Sequence, residues 1–116
     1  MKRHLFDQEK TLLKAMLISA GDYGASLLPK LDTVIVQELN DGGMGSLQFI
    51  VDGQDKRSLG STIAEAEFFD DDGILVTVSL NLDQQGVLFE LDVWKTDFSA
   101  LNSWPDIQKV TIKKCS

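Results

Sequence analysis

From Ser61 to Asp97 the chain reads STIAEAEFFDDDGILVTVSLNLDQQGVLFELDVWKTD, apolar and polar residues alternating with two breaks rich in aspartate and glycine. Successive side chains of a strand point to opposite faces, so this pattern predicts three antiparallel strands with one oily and one polar face. In the middle strand Ile74, Val76, Val78, Leu80 and Leu82 oppose Leu75, Thr77, Ser79 and Asn81. In the last, Val87, Phe89, Leu91 and Val93 oppose Leu88, Glu90, Asp92 and Trp94.

Turn chemistry sets the registers. A three-residue loop Asp71-Asp72-Gly73, its glycine at positive φ, pairs Ala66 with Val78 and Phe68 with Val76, and keeps Glu65 and Glu67 out of the core. A four-residue loop Asp83-Gln84-Gln85-Gly86 pairs Leu80 with Phe89, Val78 with Leu91 and Val76 with Val93. One face then has to be buried, with Ala64, Ala66 and Phe68 joining the apolar residues of the later strands. The other carries Glu65, Glu67, Glu90 and Asp92, flanked at one end by Phe69, Leu75 and Trp94.

The cover for the oily face has to come from the N-terminal third. Asp7 is an expected N-cap for a helix to about Ala20, with Glu9 in its first turn and Leu12, Leu13, Met16, Leu17 and Ala20 in one stripe. Gly21 suits the stop, and Pro29 confines any second helix between Tyr23 and Leu31 to a turn or two, or sits near its start. Thr33–Leu39 and Ser46–Asp52 read as further strands around a glycine-rich turn, and Val110–Lys113 as a short edge strand. After Trp94 the pattern becomes irregular, with Phe98 and Trp104 expected along the core's edge. The expected fold is α+β: one domain over residues 1–116, an antiparallel sheet of about five strands and N-terminal helices packed on one face.

Charge narrows the partners. A net charge of −7 argues against nucleic acid, whose phosphates need a basic surface, and is compatible with a basic protein. The single cysteine, Cys115, allows no disulfide framework within the chain and no thiolate metal site. Met1-Lys2-Arg3-His4 resembles the opening of a signal peptide, but Asp7, Glu9 and Lys14 interrupt any apolar core, and no run approaches the ~18 apolar residues of a membrane span. The expected setting is cytoplasmic, without membrane association.

Candidate chemistry is sparse. The lone histidine, His4, lies in an end segment expected to be mobile, which leaves a Ser-His-Asp or Cys-His arrangement without a fixed base. Asp70-Asp71-Asp72-Gly73 hints at a calcium loop but lacks the EF-hand spacing, and a hairpin turn accounts for it. Gly42, Gly43 and Gly45 suggest a phosphate cradle, yet no P-loop lysine follows, and a hairpin needing positive φ explains them too. In the expected register Glu65 and Glu90 flank Ser79, and Glu67 and Asp92 flank Thr77, each pair about 9.5 Å apart across two strand spacings. That is too wide for one metal ion and near the wide end for an inverting glycosidase pair. No cofactor is expected.

The runs Asp41-Gly42-Gly43-Met44-Gly45-Ser46 and Leu88-Phe89-Glu90-Leu91-Asp92-Val93-Trp94-Lys95-Thr96-Asp97-Phe98 resemble a family of small uncharacterised bacterial proteins, as does Glu9-Lys10 followed by Leu12-Leu13. The resemblance covers most of the chain and implies a single α+β domain; it carries no catalytic residues over. Some toxin-immunity proteins are similar in size and acidity, a likeness at the level of fold alone.

The functional expectation is a non-enzymatic interaction module. Its partner-binding residues would be Glu65, Glu67, Glu90, Asp92, Phe69, Leu75 and Trp94, with the acids steering a basic protein and the tryptophan anchoring it. A monomer or a homodimer would be compatible with this surface. The alternative is a small hydrolase or ligand-binding domain built on the Gly42–Gly45 loop.

Overall fold

Both hairpins of the central meander close in the same way. An aspartate, Asp70 or Asp83, precedes the turn, three residues turn, and the last of them is a glycine at φ 81°, namely Gly73 and Gly86. The Asp70 N–H donates to the Ile74 carbonyl at 2.9 Å, and the Asp83 N–H to the Val87 carbonyl at 2.8 Å. The first register is the expected one, with Ala66 opposite Val78 and Phe68 opposite Val76.

The second register differs by two residues. Val78 faces Val93, Ser79 faces Asp92 and Leu80 faces Leu91, not Phe89. The turn uses three residues instead of four, which slips the pairing by one and brings Leu88 opposite Leu82. An irregularity at Phe89 slips it by one more and restores the face of Glu90 and all that follows. Leu88 is therefore buried, whereas Phe89 is half-buried and Val87 is 37% exposed, the reverse of the alternation expected there.

The computed structural model describes residues 1–53 and 56–114; Cys115 lies outside them. Its elements are β1 (Lys2–Arg3), α1 (Asp7–Ser19), α2 (Gly21–Ser26), β2 (Ile35–Glu38), β3 (Leu47–Ile50), β4 (Leu59–Phe69), β5 (Leu75–Asp83), β6 (Leu88–Lys95) and β7 (Thr111–Lys114). Short 3-10 turns occupy Leu28–Asp32 and Ile107–Lys109. Seven strands, not about five, form one antiparallel sheet in the order β1-β2-β3-β6-β5-β4-β7. β1 is an addition: the segment expected to be mobile is an edge strand, Lys2 opposite Gln37 and Arg3 opposite Val36.

The core joins helix to sheet. Leu12, Leu13, Met16 and Leu17 of α1 belong to one buried cluster with Ala64, Ala66, Phe68, Val78, Leu80 and Leu91. Phe6, not Asp7, is the N-cap of α1. The physical reason is Glu9, whose Oε1 accepts the Phe6 N–H at 2.8 Å while Arg3 holds both carboxylate oxygens at 2.8 and 3.0 Å. Gly21, at φ 84°, ends α1, and Pro29 sits at the start of the Leu28–Asp32 turn, where its missing N–H costs nothing. No helix among the described residues is long and apolar enough to cross a membrane.

The join between β3 and β6 is narrow. Only Leu47–Leu91 and Gln48–Glu90 pair across it. Beyond them the Ser46 hydroxyl stands in for a strand: it donates to the Val93 carbonyl at 3.1 Å and accepts the Val93 N–H at 2.8 Å. Arg57 reinforces the other side, donating to the carbonyls of Phe49 on β3 and Leu88 on β6 and to Asp83 Oδ2.

Candidate functional site

The outward face of the meander presents three cross-strand rows. They run Glu65–Ser79–Asp92, Glu67–Thr77–Trp94 and Thr62–Asn81–Glu90. The four acids share this face, but their partners are corrected: Asp92, not Glu90, lines up with Glu65, and Trp94, not Asp92, with Glu67. The cause is the two-residue slip at the second hairpin. Glu65 and Asp92 are exposed, and Glu67 and Glu90 half-buried.

The acidic strip is partly balanced. β7 lays Lys113 opposite Glu65 and within 3.4 Å of Glu67, while Asn81 Nδ2 donates to Glu90 Oε1 at 3.4 Å. A solvent-screened ion pair such as Lys113–Glu67 is worth little, about 0–1 kcal/mol, so it orients the strip without removing its charge.

At the turn end of β6 the surface becomes aromatic. Trp94 and Phe98 lie with ring centroids 5.9 Å apart at 49°, and are 46% and 70% exposed. Phe69 is also exposed and Leu75, opposite it, half-buried. Phe98 was expected at the core's edge, and it is Trp104 that packs there, 6.2 Å from Phe68. Phe98 has φ 65°, the only positive φ outside glycine among the described residues. An L residue with a bulky ring rarely adopts that conformation, and such strain gathers at functional surfaces. Asp97, just before it, accepts from the Ser99 hydroxyl and N–H, which hold its carboxyl below the usual range.

The three-aspartate turn is already occupied by a cation of the protein itself. Carboxylate oxygens of Asp70, Asp71 and Asp72 lie within 4.8 Å of one another, close enough to suggest a metal site. Lys95 Nζ, fully buried, sits 2.9 Å from Asp70 Oδ2 and 2.5 Å from Asp72 Oδ2 and also donates to the Ala100 carbonyl. The third carboxylate accepts from Asn102 Nδ2 at 2.7 Å. Burial by itself would push the Asp70 carboxyl up, but the Asn102 N–H and the Lys95 ammonium hold it below its ordinary value. For Lys95 burial pulls down, and Asp70 and Asp72 more than reverse it.

The glycine loop is likewise filled from within. Asp41 accepts the N–H groups of Gly43, Met44 and Ser46 at 3.2, 3.1 and 3.0 Å. These are the amides that a phosphate oxygen would seek, and a carboxylate of the chain already holds them. The strap from Phe98 to Pro105 seals the outside, its Leu101 N–H donating to the Gly43 carbonyl and Trp104 lying against Gly45.

Sequence reasoning missed Lys95, Arg57 and the carboxylate role of Asp41. A signal existed for the first. Asp70 falls two residues after Phe68 and Lys95 two after Val93, so strict alternation places opposite charges on the oily side at one end of the sheet.

A family model described as a domain of unknown function (DUF6984) matches residues 2–105, and the chain belongs to this family. No curated protein and no solved structure matches the chain.

Proposed function

We propose that this family member is a non-enzymatic interaction domain whose outward sheet face receives a basic protein partner. The observation that carries the reading is the exposed Trp94–Phe98 pair beside Asp92, held out by a phenylalanine in a left-handed backbone conformation. An aromatic anchor supplies affinity when it is desolvated, and neighbouring acids supply steering and choice of partner. The two clusters that could have hosted chemistry, the Asp70–Asp72 turn and the Gly42–Gly45 loop, hold counter-groups of the chain itself, which favours binding over catalysis.

The test is capture by a tagged chain from extracts of its source cells, run beside Asp92→Lys and Trp94→Ala, with circular dichroism to verify folding. A basic protein retained by the parent and lost by both variants is the expected result. Equal retention by both folded variants rejects the surface.

A further inference from the structure

A separate concavity lies at the opposite end of the sheet, where the Asp83–Val87 hairpin meets α2 and the Leu28–Asp32 turn. Its volume is about 400 Å³, inside the roughly 300–1,000 Å³ typical of small-ligand sites. Phe49 and Leu88, both buried, line it together with Leu27, Val34, Val51 and Val87. Tyr23 bridges its edge by donating its hydroxyl to the Gly86 carbonyl, which ties α2 to the hairpin.

Among the described residues the polar lining consists of the Lys30 ammonium and the hydroxyls of Tyr23 and Thr33, with no carboxylate. Asp32, the acid nearest Lys30 in sequence, is taken by Lys10 at 3.4 Å, and Lys30 forms no ion pair among the described residues. On a chain of net charge −7, a hollow whose described lining carries an ammonium and no carboxylate repels an anion less than the acidic sheet face does. The apolar walls would reject a fully hydrated inorganic ion and reward a hydrocarbon body.

We infer that this cavity binds a small amphipathic monoanion, its hydrocarbon chain or ring against Phe49 and Leu88 and its carboxylate at Lys30. The site is independent of the acidic face and stands or falls separately from it.

Decanoate and its uncharged counterpart decanol, titrated into the ¹⁵N-labelled full chain, provide the test. Decanoate should give saturable shifts at the amides of Val34, Gly86, Val87 and Leu88, with decanol about tenfold weaker. Lys30→Gln should weaken decanoate about tenfold and leave decanol unchanged, the effect of losing one charge-assisted contact. Val34→Trp should fill the hollow and abolish both; should it fail to fold, Val87→Trp, at a partly exposed position, replaces it. Equal affinity for the two probes, or an unaltered decanoate affinity in Lys30→Gln, overturns the anion assignment. Shifts that do not saturate, that lie elsewhere on the protein or that are absent overturn the site.

Discussion

Lys95 and Asp70 meet at 2.9 Å with side chains 1% and 0% exposed, so the first aspartate of one hairpin turn is paired with the last residue of a strand two places away. Asp70 does more than pair. It also accepts the N–H of Asn102 at 2.8 Å, and through it the strap after β6 is fixed by its main chain. Lys95→Met removes the cation and leaves a buried carboxylate uncompensated, the costly way to break such a pair. The thermal midpoint should fall by about 10 °C or more. Adding Asp70→Leu should recover part of the loss, because two apolar groups are tolerated where one charge is not.

The same pair sets an acid limit. Because the folded Asp70 carboxyl is depressed below 3.8, its stabilising contribution is fully present above that value and is lost as the pH falls through the folded one. Asp83 behaves alike: the Val87 N–H lowers it, burial opposes, and Arg57 adds to the lowering. Denaturant midpoints should therefore hold down to about pH 4 and decline below it. Asp70→Asn, less stable throughout, should show a shallower decline, and a parallel curve would remove Asp70 from the account.

Arg57 is the test of the sheet's integrity. Its guanidinium serves Phe49, Leu88 and Asp83 at once, so Arg57→Met takes a donor from two carbonyls and the cation from a buried carboxylate. Urea denaturation should show a loss of about 3–5 kcal/mol. Arg57→Lys should recover little, since an ammonium cannot reproduce the planar fork.

Asp41→Ala vacates three loop amides and should cost about 1–2 kcal/mol. Vacating them also exposes the anion cradle the carboxylate had filled. Sulfate should then raise the melting temperature of the variant more than that of the parent, and an equal rise in both would count against the cradle.

Phe98→Gly separates stability from recognition. Relief of the left-handed backbone is worth about 1 kcal/mol, offset by the lost ring contact with Trp94, so the thermal midpoint should move by only a few degrees. Partner capture should nonetheless weaken, as it should with Trp94→Ala.

Alternation made the oily face, the first hairpin and the shared side of the four acids readable from the sequence. The second hairpin resisted because Val87, Leu88 and Phe89 are all apolar. Any of three registers then buries a hydrophobe, and the turn geometry of Asp83 and Gly86 together with the irregularity at Phe89 decides among them. β1 is two residues long, too short for a period to show, and its partner lies more than thirty positions away. Arg57 sits in a polar connection with no pattern at all, and its role depends on which strand ends it happens to cross. The cavity beside Tyr23 draws its lining from distant parts of the chain and leaves no local trace.

The slender contact between β3 and β6 has a dynamic corollary. With two paired positions, one serine hydroxyl, one arginine and the Leu101–Gly43 bond of the strap linking their backbones, the first three strands and the last four meet along a narrow seam over a shared core. Opening along such a seam breaks far fewer bonds than unravelling either set of strands, so amide hydrogen exchange at Leu47 and Leu91 should outpace exchange within the β4–β5 ladder. Partial unfolding would begin in the middle of the sheet and leave its outer strands paired.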